Sequence, residues 1–336
     1  MEKKNNKIVR SYIPWYSDDY RISYYDEQRK KDYLSYTPQD IYAELVKNIV
    51  NQDEACRKVS VMMYQHLRGH RFVGMLAGPT GSGKSFIAEN LKKIFPDMVY
   101  LRDISNVTND GWSGGKKVHS LFQGVSYPGC DNVRFEPVIF LDECDKMFTP
   151  KHTSSGDNVS ETVQSEFLSV IHGGEIEIST PDRARRMIST SGISFLFAGA
   201  FEKKAKEIAE KENGPALGFG MHRENVSAYD SGFNAADIIE AGCISELCGR
   251  IQRIISLNAI GEEDYRKMLD EPERGPVHEL EAEFGIPIRI SGERKDLLAH
   301  EAYASGLGIR GIKNRIRDHI DEIIWNDQNV KILNIA

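Results

Sequence analysis

The amino-acid sequence predicts an α/β protein built on a parallel sheet, followed by a smaller, mostly helical domain. Three observations carry the prediction. Apolar runs at residues 72–77, 138–141 and 194–198 have strand length and no polar alternation, the pattern of strands buried on both faces. Segments long enough for helices separate them, and strands alternating with helices assemble into a parallel sheet. From about residue 258 the character changes. Residues 262–269, 277–284, 295–305 and 311–325 read as helices, interrupted by one short strand at 286–290.

The first of these strands leads directly into Gly78, Pro79, Thr80, Gly81, Ser82, Gly83, Lys84 and Ser85, and then into the amphipathic stretch beginning at Phe86. A buried strand, a glycine-rich turn and a helix are the setting a P-loop requires. Glycines let the backbone wrap a phosphate without Cβ clashes. The backbone N–H groups and the helix N-terminus present partial positive charge to the anion. In that arrangement Lys84 reaches the β- and γ-phosphates of ATP, and the Ser85 hydroxyl ligates Mg²⁺.

The second strand ends in Asp142 and Glu143. Open α/β sheets bind ligands at the carboxyl ends of their strands, so these carboxylates stand where a nucleotide's metal and water belong. Asp142 is expected to hold Mg²⁺, and Glu143 to orient or deprotonate the attacking water. An acidic pair alone usually marks a solvated loop. Behind a hydrophobic strand and downstream of a P-loop it carries weight.

Composition sets outer bounds. The chain has 336 residues, enough for one large domain or two. A net charge of −7 argues against nucleic acid as the main partner, because phosphate binding needs a basic surface. No apolar run approaches the length of a membrane span, and the first residues lack the apolar region of a signal peptide. Cys56, Cys130, Cys144, Cys243 and Cys248 are odd in number and include no CxxC pair, which suggests neither a disulfide framework nor a zinc site. Reduced thiols in a cytoplasmic protein are the simple reading.

The remaining elements follow in order. Residues 1–36 are polar yet rich in aromatics, among them Tyr12, Trp15, Tyr33 and Tyr36. A disordered tail has few aromatics. The segment is therefore either an arm packed on the main domain or a docking segment for an adaptor or substrate. Thr37, Pro38 and Asp40 have the spacing of a helix start, with Thr37 as N-cap, and Ile41, Leu45, Ile49 and Val50 then give an apolar stripe. A second helix is expected from Asp53 to Leu67, a strand at 98–103, a loop at 111–114, a short helix at 117–124 and a helix at 159–171. A polar loop at 154–158 and a basic loop at 181–186 complete the large domain's connections.

Taken with the P-loop and the acidic strand end, residues 37–330 resemble the ClpX family of AAA+ unfoldases. The resemblance implies an AAA+ P-loop ATPase: an aromatic-rich arm at 1–36, a large α/β domain at 37–257 and a small helical domain at 258–336. Ile49 and Val50 fall in the segment that packs against adenine, where the family usually has Gly before Gln and this chain has Asn51. Trp112 and Ser113, within Gly111-Trp-Ser-Gly114, fall where the family carries an aromatic pore loop; a buried tryptophan is the alternative. Arg183, Arg185 and Arg186 fall at the basic entrance loop, or form a solvated charged loop. Residues 195–201 are similar to the sensor 1 strand, without a polar residue to read the γ-phosphate. Leu217, Gly218, Phe219 and Gly220 resemble the loop that docks a ClpP-type peptidase; a buried turn is the alternative. Arg250 ends a stretch similar to the one ending in the family's arginine finger, and Arg310, in Gly308-Ile-Arg310, matches sensor 2.

The family's four-cysteine zinc domain has no counterpart among residues 1–36. What the resemblance implies is a homohexamer that hydrolyses ATP with Mg²⁺, pulls protein substrates past Trp112 and, in one reading, hands them to a ClpP-type peptidase. A stand-alone remodeller of protein complexes and a nucleotide-gated scaffold with little turnover are the other readings.

Overall fold

The computed structural model describes residues 33–107, 117–128, 135–151, 158–179, 185–213, 232–271, 275–306, 308–327 and 330–335. Its centre is a parallel sheet of β1 (Val73–Ala77), β2 (Val99–Asp103), β3 (Val138–Asp142), β6 (Ser194–Gly199) and β7 (Arg253–Ser256), in the order β2-β3-β6-β1-β7. Two consecutive strands, β1 and β2, stand at opposite sides of β6 and β3, so the carboxyl ends of β1 and β3 flank a crevice where ligands bind in such sheets.

The period-two alternation of the strands sorts their side chains into two layers. Val73, Met75 and Ala77 of β1, Ile139 and Leu141 of β3, and Phe195 and Phe197 of β6 enter one core with α5 (Val159–Ile171). Leu76, Phe140, Leu196 and Ala198 enter the other, against α1 (Pro38–Val46), α2 (Asp53–His66) and α3 (Lys84–Ile94). Every residue of β1 and of β6 is buried, which is why their sequences show no polar alternation. The Thr37 start forms as expected. Its hydroxyl accepts from the Asp40 N–H, and the Asp40 carboxylate accepts from the Thr37 N–H at 2.8 Å.

Of the aromatic arm, Tyr33 and Tyr36 are described. Both pack edge-on against Phe95, with ring centroids at 5.2 and 5.5 Å. The expected helix at 117–124 is a short 3-10 segment, Val118–Phe122. The expected basic loop is a correction. Arg185 and Arg186 lie in β5 (Arg185–Ser189), which pairs antiparallel with β4 (Glu175–Ser179). Alternation of Ile176 and Ile178 with Glu175 and Glu177 is the strand signal beneath the charges, and Ile178 and Ile188 are buried. Arg183 lies outside the described residues.

Helices α4 (Cys144–Phe148), α6 (Glu202–Asn213), α7 (Ala235–Glu240) and α8 (Ser245–Cys248) join these strands. Beyond β7 a third core gathers α9 (Glu262–Asp270), α10 (Pro276–Phe284), β8 (Ile288–Ile290), α11 (Gly292–Ser305), α12 (Gly308–Asn326) and β9 (Leu333–Ile335). Ile312, Ile316 and Ile320 of α12 are all fully buried at helical spacing. Among the described residues no helix is long and apolar enough to cross a membrane.

Candidate nucleotide-binding site

The turn between β1 and α3 is shaped by its glycines. Gly81 and Gly83 have φ of 83° and 98°, values at which a Cβ is strained. Gly83 is the N-cap of α3, and no side chain caps that helix, so its first N–H groups face the turn without side-chain partners. The Ser82 hydroxyl is buried and lacks a hydrogen-bond partner. This is a cradle of donors that the protein itself leaves open.

Lys84 folds back over the cradle. Its ammonium donates to the carbonyls of Gly78 at 2.7 Å and Pro79 at 2.8 Å. Burial pulls its pKa below the usual range, while Asp142, Asp145 and Glu202 favour the charged form. Ser85 donates to the Asp142 carboxylate at 2.5 Å, so the two residues expected to share Mg²⁺ stand side by side. Hard oxygen donors of this kind suit magnesium.

Glu143 is the N-cap of α4. Its N–H donates to Asp142 Oδ1 at 2.9 Å, and its carboxylate pairs with Lys146 Nζ at 2.6 Å. That contact is the main cause of a raised Lys146 pKa. Glu143 also has φ of 60°. Among the described residues three non-glycine positions have positive φ: Asn51, Glu143 and Phe201. All three border the site. Phe201 precedes Glu202, whose carboxylate accepts from Thr80 Oγ1 at 2.5 Å. Such positions cost on the order of 1–3 kcal/mol each and persist where the surroundings over-determine them.

The other expected residues separate into groups. Ile49 is buried in the core around α1 to α3, Phe86 packs against that core, and Val50 is half-buried. Arg310 is exposed in the first turn of α12, which is held against the P-loop: a Cβ on Gly308 would stand 3.2 Å from Gly81 Cα. Arg250 is elsewhere. It precedes β7 by three residues, and Gln252 N donates to the carbonyl of Val73 at the start of β1. It is exposed and lines a cleft of about 440 Å³ with Arg71, Val73, Ile171, His172 and Gln252. Trp112, Ser113 and Leu217 to Gly220 lie outside the described residues.

Sequence reasoning missed Gln52, Asn258 and Glu202 as site residues. The Gln52 side chain is buried and donates to Ser82 O at 3.2 Å and to Asn258 O at 2.8 Å. Its partner at 258 is distant in the chain, and no local spacing signals such a pair.

The family model of the AAA domain (Cdc48 subfamily) matches residues 71–254. The chain belongs to the AAA domain family. Its relatives sharpen that to a ClpX-like AAA+ ATPase. The chain is 24% identical over 324 residues to the ATP-dependent Clp protease ATP-binding subunit ClpX of Treponema denticola, covering 88% of this chain and 78% of the relative. It is 26% identical over 325 residues to the proteins of the same name from Borrelia duttonii and Borrelia recurrentis, covering 86% of this chain and 74% of each relative. In this AAA+ ATPase the family match ends within β7, and the likeness to the ClpX proteins covers a larger share of the chain.

Proposed function

We propose that this AAA+ ATPase acts as a homohexameric ring that uses ATP hydrolysis to pull polypeptide through its centre. Bound Mg-ATP supplies the phosphoryl group whose transfer to water drives the cycle. Lys84, with the uncapped N–H groups of α3, holds the phosphates, and Ser85 and Asp142 hold the metal. Glu143 leaves Lys146 to take the proton of the attacking water. Arg310 reports nucleotide state to the small domain on which it sits.

The position of Arg250 carries the ring reading. β1 places its full length, about 13 Å at about 3.3 Å per residue, between this arginine and its own P-loop. An exposed guanidinium at the wrong end of the sheet serves a γ-phosphate only in a neighbouring copy. Trp112 is then the residue that grips extended substrate, and Leu217 to Gly220 the segment that meets a ClpP-type peptidase, in line with the protease named in its relatives. A cytoplasmic location accords with this role.

Mixing two inactive variants tests the ring. Arg250→Ala lacks the finger, and Glu143→Gln lacks the base. In a mixed ring an Arg250→Ala subunit keeps an intact P-loop face and receives Arg250 from a Glu143→Gln neighbour. Mixing is expected to restore ATPase activity that neither variant has alone. If the mixture stays as inactive as its components, the finger does not act between copies. Substrate threading is read separately, by unfolding of a tagged fluorescent protein: Trp112→Ala should lose unfolding while keeping ATP turnover.

A further inference from the structure

The segment that precedes α2 touches three parts of the molecule within two residues. Asn51 has φ of 59°, a conformation asparagine tolerates better than most side chains. There its amide donates to Asp264 Oδ2 at 2.9 Å and to Ala259 O at 3.4 Å, and its carbonyl accepts from Asn258 Nδ2 at 2.9 Å. Asp264 lies in the first turn of α9, and the same oxygen accepts from Gly261 N at 3.0 Å, which fixes the start of that helix. The next residue, Gln52, joins the P-loop carbonyl of Ser82 to the backbone of Asn258, whose N–H it accepts at 2.9 Å.

The link from β7 to α9, residues 257–261, is therefore stitched on one side to the P-loop and on the other to the helix it leads into. We propose that Asn51 is a positioning residue that latches the small domain to the nucleotide pocket, so that nucleotide affinity depends on where α9 sits. If α9 turns relative to the sheet, the Asn51–Asp264 bond must break or the segment must move with it. In the second case Gln52 passes the movement to Ser82. The Asp264 bond is exposed, so it can open and close through a cycle, whereas the Gln52 side chain is buried and its bonds to Ser82 and Asn258 are costlier to break. A glycine at position 51 could adopt the same backbone angle and would lack the latch.

The effect on affinity rests on the reading that residues 78–85 bind the nucleotide; the latch itself does not. Asn51→Gly keeps the backbone conformation and removes the amide. In the nucleotide-free protein, hydrogen exchange at the amides of α9 is expected to rise about fivefold, with β1 and β6 unchanged. In the same variant the KM for ATP is expected to rise about fivefold with kcat within about twofold of wild type. Asp264→Asn keeps an acceptor for both Asn51 and Gly261 and should behave as wild type. Asp264→Ala should match Asn51→Gly in KM, and the double variant should be no worse than either. Unchanged exchange in α9, or exchange accelerated equally in β1 and β6, overturns the latch. Faster exchange in α9 with unchanged KM overturns the coupling, provided Lys84→Ala has lost ATP. If Lys84→Ala still binds ATP normally, the nucleotide-site reading is what fails.

Discussion

At the carboxyl end of the central sheet, Lys84, Ser85, Asp142 and Thr80 each have a partner within the chain, at 2.5 to 2.8 Å. At the amino end, Arg250 stands exposed beside an open cleft lined by Arg71, His172 and Gln252. The first end is a site that one chain assembles from its own strands and loops. The second is a charged group exposed at a cleft, with no phosphate cradle beside it among the described residues. If the proposed ring forms, the contrast is how it divides its chemistry. Binding groups must be preorganised and so are packed together, whereas a group that acts on a neighbour must remain on the surface until assembly.

The largest effects are expected where binding and chemistry can be separated at the carboxyl end. Lys84→Ala should abolish ATP binding, read by calorimetry with a non-hydrolysable analogue. Glu143→Gln should retain binding and lose about 10²- to 10⁴-fold in turnover, the usual contribution of a positioned general base. Turnover that survives Glu143→Gln would remove Glu143 as the base and leave the binding site intact. Arg250→Ala belongs to the other class, with affinity retained and turnover lost, although it lies at the far end of the sheet.

A smaller effect is expected where the start of α12 meets the P-loop. Gly308 has φ of 62° and would bring a Cβ within 3.2 Å of Gly81 Cα. Gly308→Ala therefore combines backbone strain with a tight contact that presses on the P-loop backbone. A loss of about 1–2 kcal/mol, roughly 5- to 30-fold in ATP affinity, should follow. Affinity equal to wild type would mean that the contact costs the same with and without nucleotide and takes no part in binding.

How much of this was legible follows from what local sequence encodes. β1 and the central residues of β3 and β6 are apolar because both faces are buried, and the P-loop announces itself because glycine, lysine and serine are needed at fixed spacing. β7 escaped notice: it is four residues long, begins with the exposed Arg253 and borders the sheet. The pairing of β4 with β5 was hidden by its arginines, since a charged outer face looks like a loop when the inner face holds just Ile176, Ile178 and Ile188. The candidate site divides the same way. Lys84, Ser85, Asp142 and Glu143 are consecutive with the elements that carry them. The Gln52–Asn258 and Thr80–Glu202 pairs join residues far apart in sequence, and only the folded chain brings them together.

The smallest effect sharpens the contrast from outside the site. His66, at the end of α2, is buried between Ser194 and Glu136. Its Nδ1 is 2.8 Å from Ser194 Oγ, and its Nε2 is 2.8 Å from the Glu136 carbonyl. Ser194 Oγ already accepts from Phe72 N at 2.9 Å, so its hydroxyl proton is free to point at Nδ1 while Nε2–H donates to the carbonyl, a pattern that needs a neutral ring. Burial lowers the His66 pKa from the ordinary 6.5. The unfolded chain therefore takes up a proton below about pH 6.5 that the folded chain refuses. The stability this histidine contributes is complete above that pH and is lost as pH falls through the lower, folded value, with a slope approaching about 1.4 kcal/mol per pH unit. Chemical denaturation of wild type and His66→Gln between pH 7.5 and 5 reads the difference; equal slopes would show that this ring already carries its proton in the fold. Because His66 braces the amino ends of β1 and β6 through Phe72 and Ser194, acid should loosen the Arg250 end of the sheet before it reaches the phosphate cradle.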